Sequence, residues 1–292
     1  MTSAGTSARA RPSPTRGATP FFSRREHIRR LGSTNDLVAA WLAEGTPEVC
    51  FATAEEQTHG RGREGRTWQA PLGTSLLLSL GFRPGWLAPE RTWQLAAVVP
   101  LAMADAAEEV AGLARGVIRL KWPNDLVVQV DPPASTSDGP REPPHPAIRK
   151  LGGVLGETSG LGTDDPRAVI GIGVNADWER DDFPAELAEG MTSLRDESGG
   201  RPVDRVPLLD AFLDRLQAAV EGLRNGRFAL SDWQQRQVTT GRLVDLLYPA
   251  GHRVTVVATG VDPSSGGLIV EEANAQRVIH SAEILHVRLA GV

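Results

Sequence analysis

The chain has one cysteine in 292 residues, Cys50, which excludes an internal disulfide and a cysteine-built zinc site. With Val49 and Phe51 beside it, this thiol reads as a buried apolar side chain rather than a nucleophile, and a reducing, cytoplasmic setting fits. Long hydrophobic runs are also missing. No apolar stretch approaches the ~20 residues needed to span a bilayer, and Thr74 to Leu80 has the length of a strand, so no membrane partner is expected. No basic excess exists, since 31 Lys and Arg against 36 Asp and Glu leave a formal charge of −5. That balance removes the global electrostatic case for a non-specific nucleic-acid binder, though not for local basic patches. Walker A, G-x-S-x-G and H-E-x-x-H patterns are absent, and the six histidines do not cluster at ligand spacing, which leaves nucleophilic hydrolase and zinc chemistry unsupported.

What is present is the composition of a folding chain, 40% hydrophobic and 23% charged, long enough for one large domain and a smaller appendage. The first twenty residues carry no acidic group and almost nothing to bury, and read as a disordered tail, set at 1–22. An organelle transit peptide shares this Arg- and Ser-rich, acid-poor composition, but an amphipathic face is lacking. A secretory signal is excluded by the missing apolar core.

From Phe21 the pattern becomes αβ-like. Ser33 with Asp36 matches a capping box, followed by Leu37, Val38, Trp41 and Leu42 at helical spacing up to Gly45. Strands are predicted over 49–54, 74–82, 118–121, 126–130, 151–157 and 169–174, and helices over 93–110, where Pro100 predicts a kink or break, and around 208–223 with Gly226 after the end. Asp131 to Ala147, with six prolines, reads as a loop insertion. Five short β segments after Trp233 suggest a small closed or partly open barrel over 239–292, because so few residues bury little unless their sheet curls.

Four segments offer candidate chemistry. Gly60-Arg61-Gly62-Arg63-Glu64-Gly65 formally matches a dinucleotide-binding pattern, but Arg66 to Gly73 is poor helix material, so the helix that would hold a pyrophosphate is missing. There remains a flexible loop able to present several guanidinium forks to an anion, or simply a solvated basic loop. Lys121-Trp122-Pro123-Asn124-Asp125 ends a strand in a turn with a carboxylate, which an ordinary Asx turn would also explain. Lys150 opens a strand whose paired glycines, Gly152 and Gly153, permit close backbone approach. Gly173-Val174-Asn175 ends another strand in a polar amide.

Taken in order, Gly32-Ser33-Thr34-Asn35, Gln57, the loop from Gly60 to Arg66 with Trp68, Lys121 to Asp125, Lys150 to Glu157 and Gly173 to Asn175 resemble biotin protein ligase. Met191-Thr192-Ser193-Leu194 and the terminal β segments extend the likeness towards the C-terminus. The resemblance implies an α+β fold, with a mixed β-sheet flanked by helices over 23–238 and then a small Src-homology-3-type barrel. It resembles the monofunctional form, without a winged-helix repressor domain before Gly32, so DNA is not an expected partner. The implied reaction activates biotin with ATP and Mg2+ as biotinyl-5′-adenylate, then passes it to a lysine of a biotin carboxyl carrier protein. By resemblance, Ser33, Thr34, Asn35, Gln57, Gly60, Arg61 and Lys150 would bind biotin. Arg63, Arg66, Trp68, Lys121, Asn124 and Asn175 would bind the nucleotide. Lys150, Arg63 and Asp125 would be catalytic, and Asp125 would assist magnesium or the incoming amine. Two departures from the family stand out: the 131–147 insertion, and Glu64, where some relatives carry a basic residue. A lipoate or octanoate protein ligase is the nearest alternative, with a biotin-responsive DNA-binding regulator and a degenerate binding module further off.

Overall fold

A computed structural model describes residues 20–130, 147–248, 251–272, 275–280 and 282–289. The chain forms β1 (Arg24–Leu31), α1 (Thr34–Ala43), β2 (Cys50–Gln57), β3 (Ser75–Phe82), α2 (Trp93–Ala111), β4 (Ile118–Lys121), β5 (Asp125–Val130), β6 (Ala147–Ser159) and β7 (Arg167–Asn175). Then come α3 (Leu194–Glu197), α4 (Arg205–Arg224), α5 (Leu230–Gln235), β8 (Arg242–Leu247), β9 (Arg253–Val261), β10 (Leu268–Glu272), β11 (Ala275–Ile279) and β12 (Glu283–Leu289). The first seven strands make one mixed sheet in the order β1-β2-β3-β7-β6-β5-β4, in which only β1 and β2 pair in parallel. The last five make a separate antiparallel sheet, β11-β10-β9-β8-β12, the small barrel of the expected architecture.

Alternation explains the layering. Along β3, Leu76, Leu78, Leu80 and Phe82 join the large core shared with α2 and α4, whereas Ser79 and Gly81 face α1. A Cβ at Gly81 would lie 2.7 Å from Cys50 Sγ and 2.8 Å from Val38, so this glycine lets α1 settle on the sheet. Cys50 is wholly buried there, and burial pushes its thiol up to about 11, in keeping with a packing role. Helix α2 continues through Pro100. The interruption that proline predicts, worth roughly 3 kcal/mol, is outweighed by burial of 14 of its 19 residues between the sheet and α4. Gly226, with φ of 71°, follows α4 as expected.

Two expectations need correcting. Ser33 occupies the N-cap position of α1 in extended conformation, but its side chain makes no cap hydrogen bond, and Asp36 turns instead to Arg61. The capping box fails because a full guanidinium is a stronger partner for the carboxylate than a backbone N–H. Phe21 and Phe22, placed at the end of the tail, pack on the core, with Phe22 edge-on to Phe51 at 5.2 Å. Residues 1–19 and the 131–146 part of the insertion lie outside the described residues.

Candidate active site

A cleft opens where the start of α1, the loop after β2, the β4–β5 turn and the glycine-rich ends of β6 and β7 converge. Ser33, Thr34, Asn35, Gln57, Arg61, Arg63, Arg66, Trp68, Lys121, Asn124, Asp125 and Lys150 all line it. The structure thus brings together almost every residue singled out from the sequence, from segments far apart in the chain.

Its floor is a chain of polar side chains. Gln57 Oε1 accepts from the Thr34 backbone N–H at 2.7 Å and from Thr34 Oγ1 at 2.9 Å. Thr34 Oγ1 lies 2.6 Å from Ser79 Oγ, which donates to Asn35 Oδ1 at 2.5 Å. Asn35 Nδ2 donates to Glu157 at 2.6 Å, and Glu157 in turn receives Arg61 Nη2 at 3.0 and 2.9 Å. Arg61 Nη1 donates to Asp36 at 2.6 Å. The Asp36 bond above all, with Glu157 behind it, holds the Arg61 guanidinium above its ordinary pKa in spite of partial burial. Arg61 is therefore not a spare cation, as the loop's composition suggested.

Glycines make this floor possible. At Gly171 a Cβ would sit 2.2 Å from Asn35 Oδ1, and at Gly173 it would sit 2.6 Å from the Trp68 ring, so both side chains lie directly on β7. A Cβ at Gly60 would meet the Trp68 carbonyl at 2.4 Å. Gly60 itself does not line the cleft; its carbonyl accepts the Trp68 N–H at 2.9 Å and closes the base of the loop. Within that loop Arg63 to Gly65 make a tight turn in which Glu64 (φ 55°) and Gly65 (φ 75°) are left-handed, so no helix starts there, which agrees with rejecting a dinucleotide-binding turn.

The opposite wall carries the charge pair. Lys150 Nζ stands 2.6 Å from Asp125 Oδ1 and 5.7 Å from the centre of the Trp68 ring. The β4–β5 turn delivers Asp125, since Lys121 pairs with Asp125 across it, and Asn124 ties the turn to β6 through two hydrogen bonds of 2.8 Å with Val154. Lys150 is delivered by a bulge: Leu126 pairs with Gly152 and Val127 with Lys150, leaving Leu151 as the extra residue. A short segment also brackets Lys150, with its N–H on the Gly190 carbonyl and its carbonyl accepting from Thr192 N–H. Asn175 belongs to that support and not to the cleft surface: it is fully buried and donates to the Thr192 carbonyl at 3.0 Å. Ser79, Asp36, Glu157, Gly171 and Gly173 are the contributors that sequence reasoning did not assign. The signal for Ser79 was a polar residue inside an otherwise apolar strand; for Glu157 it was only its place in a motif already noted.

Chemically, the cleft offers a polar floor suited to a small ring with hydrogen-bonding groups on several sides, next to a row of cations suited to phosphates. A model of the biotin/lipoate A/B protein ligase family matches residues 28–175. A Paracoccus denitrificans protein named biotin acetyl-CoA-carboxylase ligase is 30% identical over 264 residues, 88% of this chain and 98% of that one. A Mycobacterium tuberculosis protein of the same name is 27% identical over 274 residues, 93% and 92% of the two chains. Among solved structures, a biotin protein ligase from Aquifex aeolicus in complex with biotin and ATP shares the fold, with a TM-score of 0.70 at 23% identity, covering 91% of this chain and 99% of that one.

Proposed function

Because the chain belongs to the biotin/lipoate A/B protein ligase family, we propose that it condenses biotin with ATP to biotinyl-5′-adenylate and pyrophosphate, and then transfers the biotinyl group to a carrier lysine, releasing AMP. The observation that carries this reading is the polar floor from Gln57 through Thr34, Ser79 and Asn35 to Glu157, beside the Lys150–Asp125 pair. A ureido ring offers two N–H donors and a carbonyl acceptor to such a floor. The dithiolane of lipoate offers none, and would leave buried polar groups unpaired, a mismatch able to disfavour it by about 10²-fold or more.

In the first step the biotin carboxylate attacks the α-phosphorus of ATP and pyrophosphate leaves. Bringing two unit negative charges to 4 Å costs roughly 4 kcal/mol at an effective dielectric of 20, so cations must be in place beforehand. Lys150 sits where it can contact the carboxylate and the α-phosphate together. Arg63 lines the same cleft, with no side-chain partner among the described residues. Arg66 and Lys121 extend the row towards the nucleotide, and Trp68 supplies an aromatic face for adenine. In the second step the lysine amine attacks the acyl carbon and AMP leaves; Asp125 stands close enough to Lys150 to take the proton the amine must lose. Magnesium fits the donor set modestly. No group of three or more ligating side chains occurs among the described residues, so the ion would be held chiefly by ATP phosphates with Asp125, withdrawing charge from the phosphoryl group. The acceptor we assign is a biotin carboxyl carrier protein. No described helix is long and apolar enough to cross a membrane.

Exchange of labelled pyrophosphate into ATP tests the assignment. Exchange should require biotin and should not occur with lipoate; lipoate-dependent exchange without a biotin response would move the chain to the other branch of the family.

A further inference from the structure

We infer that Glu157 is a positioning residue for the biotin half of the site, an inference that rests on the reading above. Glu157 lies where the cleft continues outwards past Arg61, and its carboxylate holds two residues of the inner lining: Arg61 at 3.0 and 2.9 Å, and Asn35 at 2.6 Å.

The first consequence is directional. An ionised carboxylate only accepts hydrogen bonds, so Asn35 must turn its Nδ2 towards Glu157 and its Oδ1 towards Ser79. Asn35 Oδ1 can only accept, so the one hydroxyl proton of Ser79 goes to it, and Thr34 Oγ1 is left to share its own proton between Ser79 and Gln57. Gln57 Oε1 is already occupied by the Thr34 N–H, which leaves the Gln57 amide nitrogen as the donor available to a ligand. A single terminal acceptor thereby sets the donor and acceptor pattern along the whole floor. A ring that needs a fixed mixture of donors and acceptors meets that pattern already made.

The second consequence is mechanical. Asp36 from α1 and Glu157 from β6 grip Arg61 from two elements, and Arg61 begins the loop that carries Arg63 and Arg66. The Glu157 side chain is 44% exposed, and ion pairs so exposed add little to stability. Its geometric effect is separate from its small energetic one, and that makes it testable without unfolding the protein.

Glu157→Gln keeps the shape but gives the chain's end a donor as well as an acceptor, so the Asn35 amide loses its fixed orientation. The expected result is a KM for biotin raised at least tenfold, a clearly smaller rise in the KM for ATP because Arg66 rides on the loosened loop, and a melting temperature nearly unchanged. In ligand-free protein, backbone amides of residues 61–67 should exchange with deuterium at least several-fold faster, while those of α2 and β8–β10 keep their rates. Asp36→Asn loosens the same grip without touching Asn35. It should speed loop exchange while raising the biotin KM less than Glu157→Gln does. Equal rises in both KM values, or unchanged loop exchange in Glu157→Gln, would overturn the inference. Should the wild-type enzyme show no biotin-dependent exchange of pyrophosphate, the biotin reading fails by itself, and the deuterium measurement still decides whether Glu157 positions the loop.

Discussion

Among single residues, Lys150 and Arg63 are given different tasks, and substitution separates them. Lys150→Ala removes the cation facing carboxylate and phosphate and leaves Asp125 half-buried without its partner. The structural cost is about 1 kcal/mol, since a partly exposed pair holds little stability, so circular dichroism should be unchanged while pyrophosphate exchange is lost. Arg63 lies on the loop, beyond the Arg61 grip, where it can help retain a reactive mixed anhydride and exclude water. Arg63→Gly should form the adenylate and release it faster, labelling lysines of a bystander protein such as albumin on streptavidin blots. Complete loss of adenylate formation would instead place Arg63 in the first step. The residue types of both groups were legible in the sequence. Their spatial relations were not: Lys150 meets Asp125 because of a bulge at Leu151, and Glu157 meets Arg61 and Asn35 across 96 and 122 positions of chain. Neither a bulge nor a contact at that separation has a local signature.

Elements with apolar runs, such as β3 and β7, could be read directly, because strands buried on both faces need such runs. Strand β1 could not. RREHIRRL is exposed at most positions and lies at the sheet edge, so only Ile28 and Leu31 hint at a strand, and its parallel pairing to β2 has no sequence signal. Helix α5 and the ion cluster behind it were equally silent. Arg236, just past α5, donates to both carboxylate oxygens of Glu108 in α2 at 2.8 and 2.9 Å, pairs with Asp105 and bonds the Ile118 carbonyl at the start of β4. Burial works against the charged Glu108, but the Arg236 bond and the Ile118 and Gly116 N–H groups outweigh it and hold its pKa below the ordinary value. Breaking such a buried pair costs about 3 kcal/mol, so Glu108→Gln should unfold at markedly lower denaturant. A depressed folded-state pKa gives stability that is present above the unfolded-state pKa and lost as pH falls through the folded one. The wild-type advantage over Glu108→Gln should therefore shrink on acidification below the ordinary glutamate range, and a difference independent of pH would count against this ion pair.

At the scale of the molecule, contacts that tie the small barrel to the larger sheet and its helices include Arg242 of β8 on Gln129 of β5 and two tryptophans, of which Trp122 lines the cleft. Trp93 Nε1 donates to the Ser264 carbonyl and Trp122 Nε1 to the Gly266 carbonyl, each at 3.1 Å, and Ile284 of β12 reaches the cleft lining. Trp122 sits in the very turn that presents Asp125. Gly266 has φ of 71°, and a Cβ there would meet the Trp93 ring at 2.7 Å. Gly266→Ala should therefore cost about 1–3 kcal/mol and lower pyrophosphate exchange by shifting the turn, although the substitution lies in the barrel. Exchange kept at the wild-type rate would mean the barrel does not hold the turn.

The central claim is that one cleft makes biotinyl-adenylate and keeps it for a carrier lysine. A single-turnover experiment addresses it directly: enzyme in excess over α-phosphate-labelled ATP, with biotin and magnesium, passed through rapid gel filtration and then given a biotin carboxyl carrier domain. The account predicts labelled biotinyl-adenylate co-eluting with the protein, and, on adding the carrier, release of labelled AMP matched by biotin on the acceptor lysine. Label that fails to stay with the enzyme when biotin is present, or a retained adenylate that the carrier cannot discharge, would contradict it.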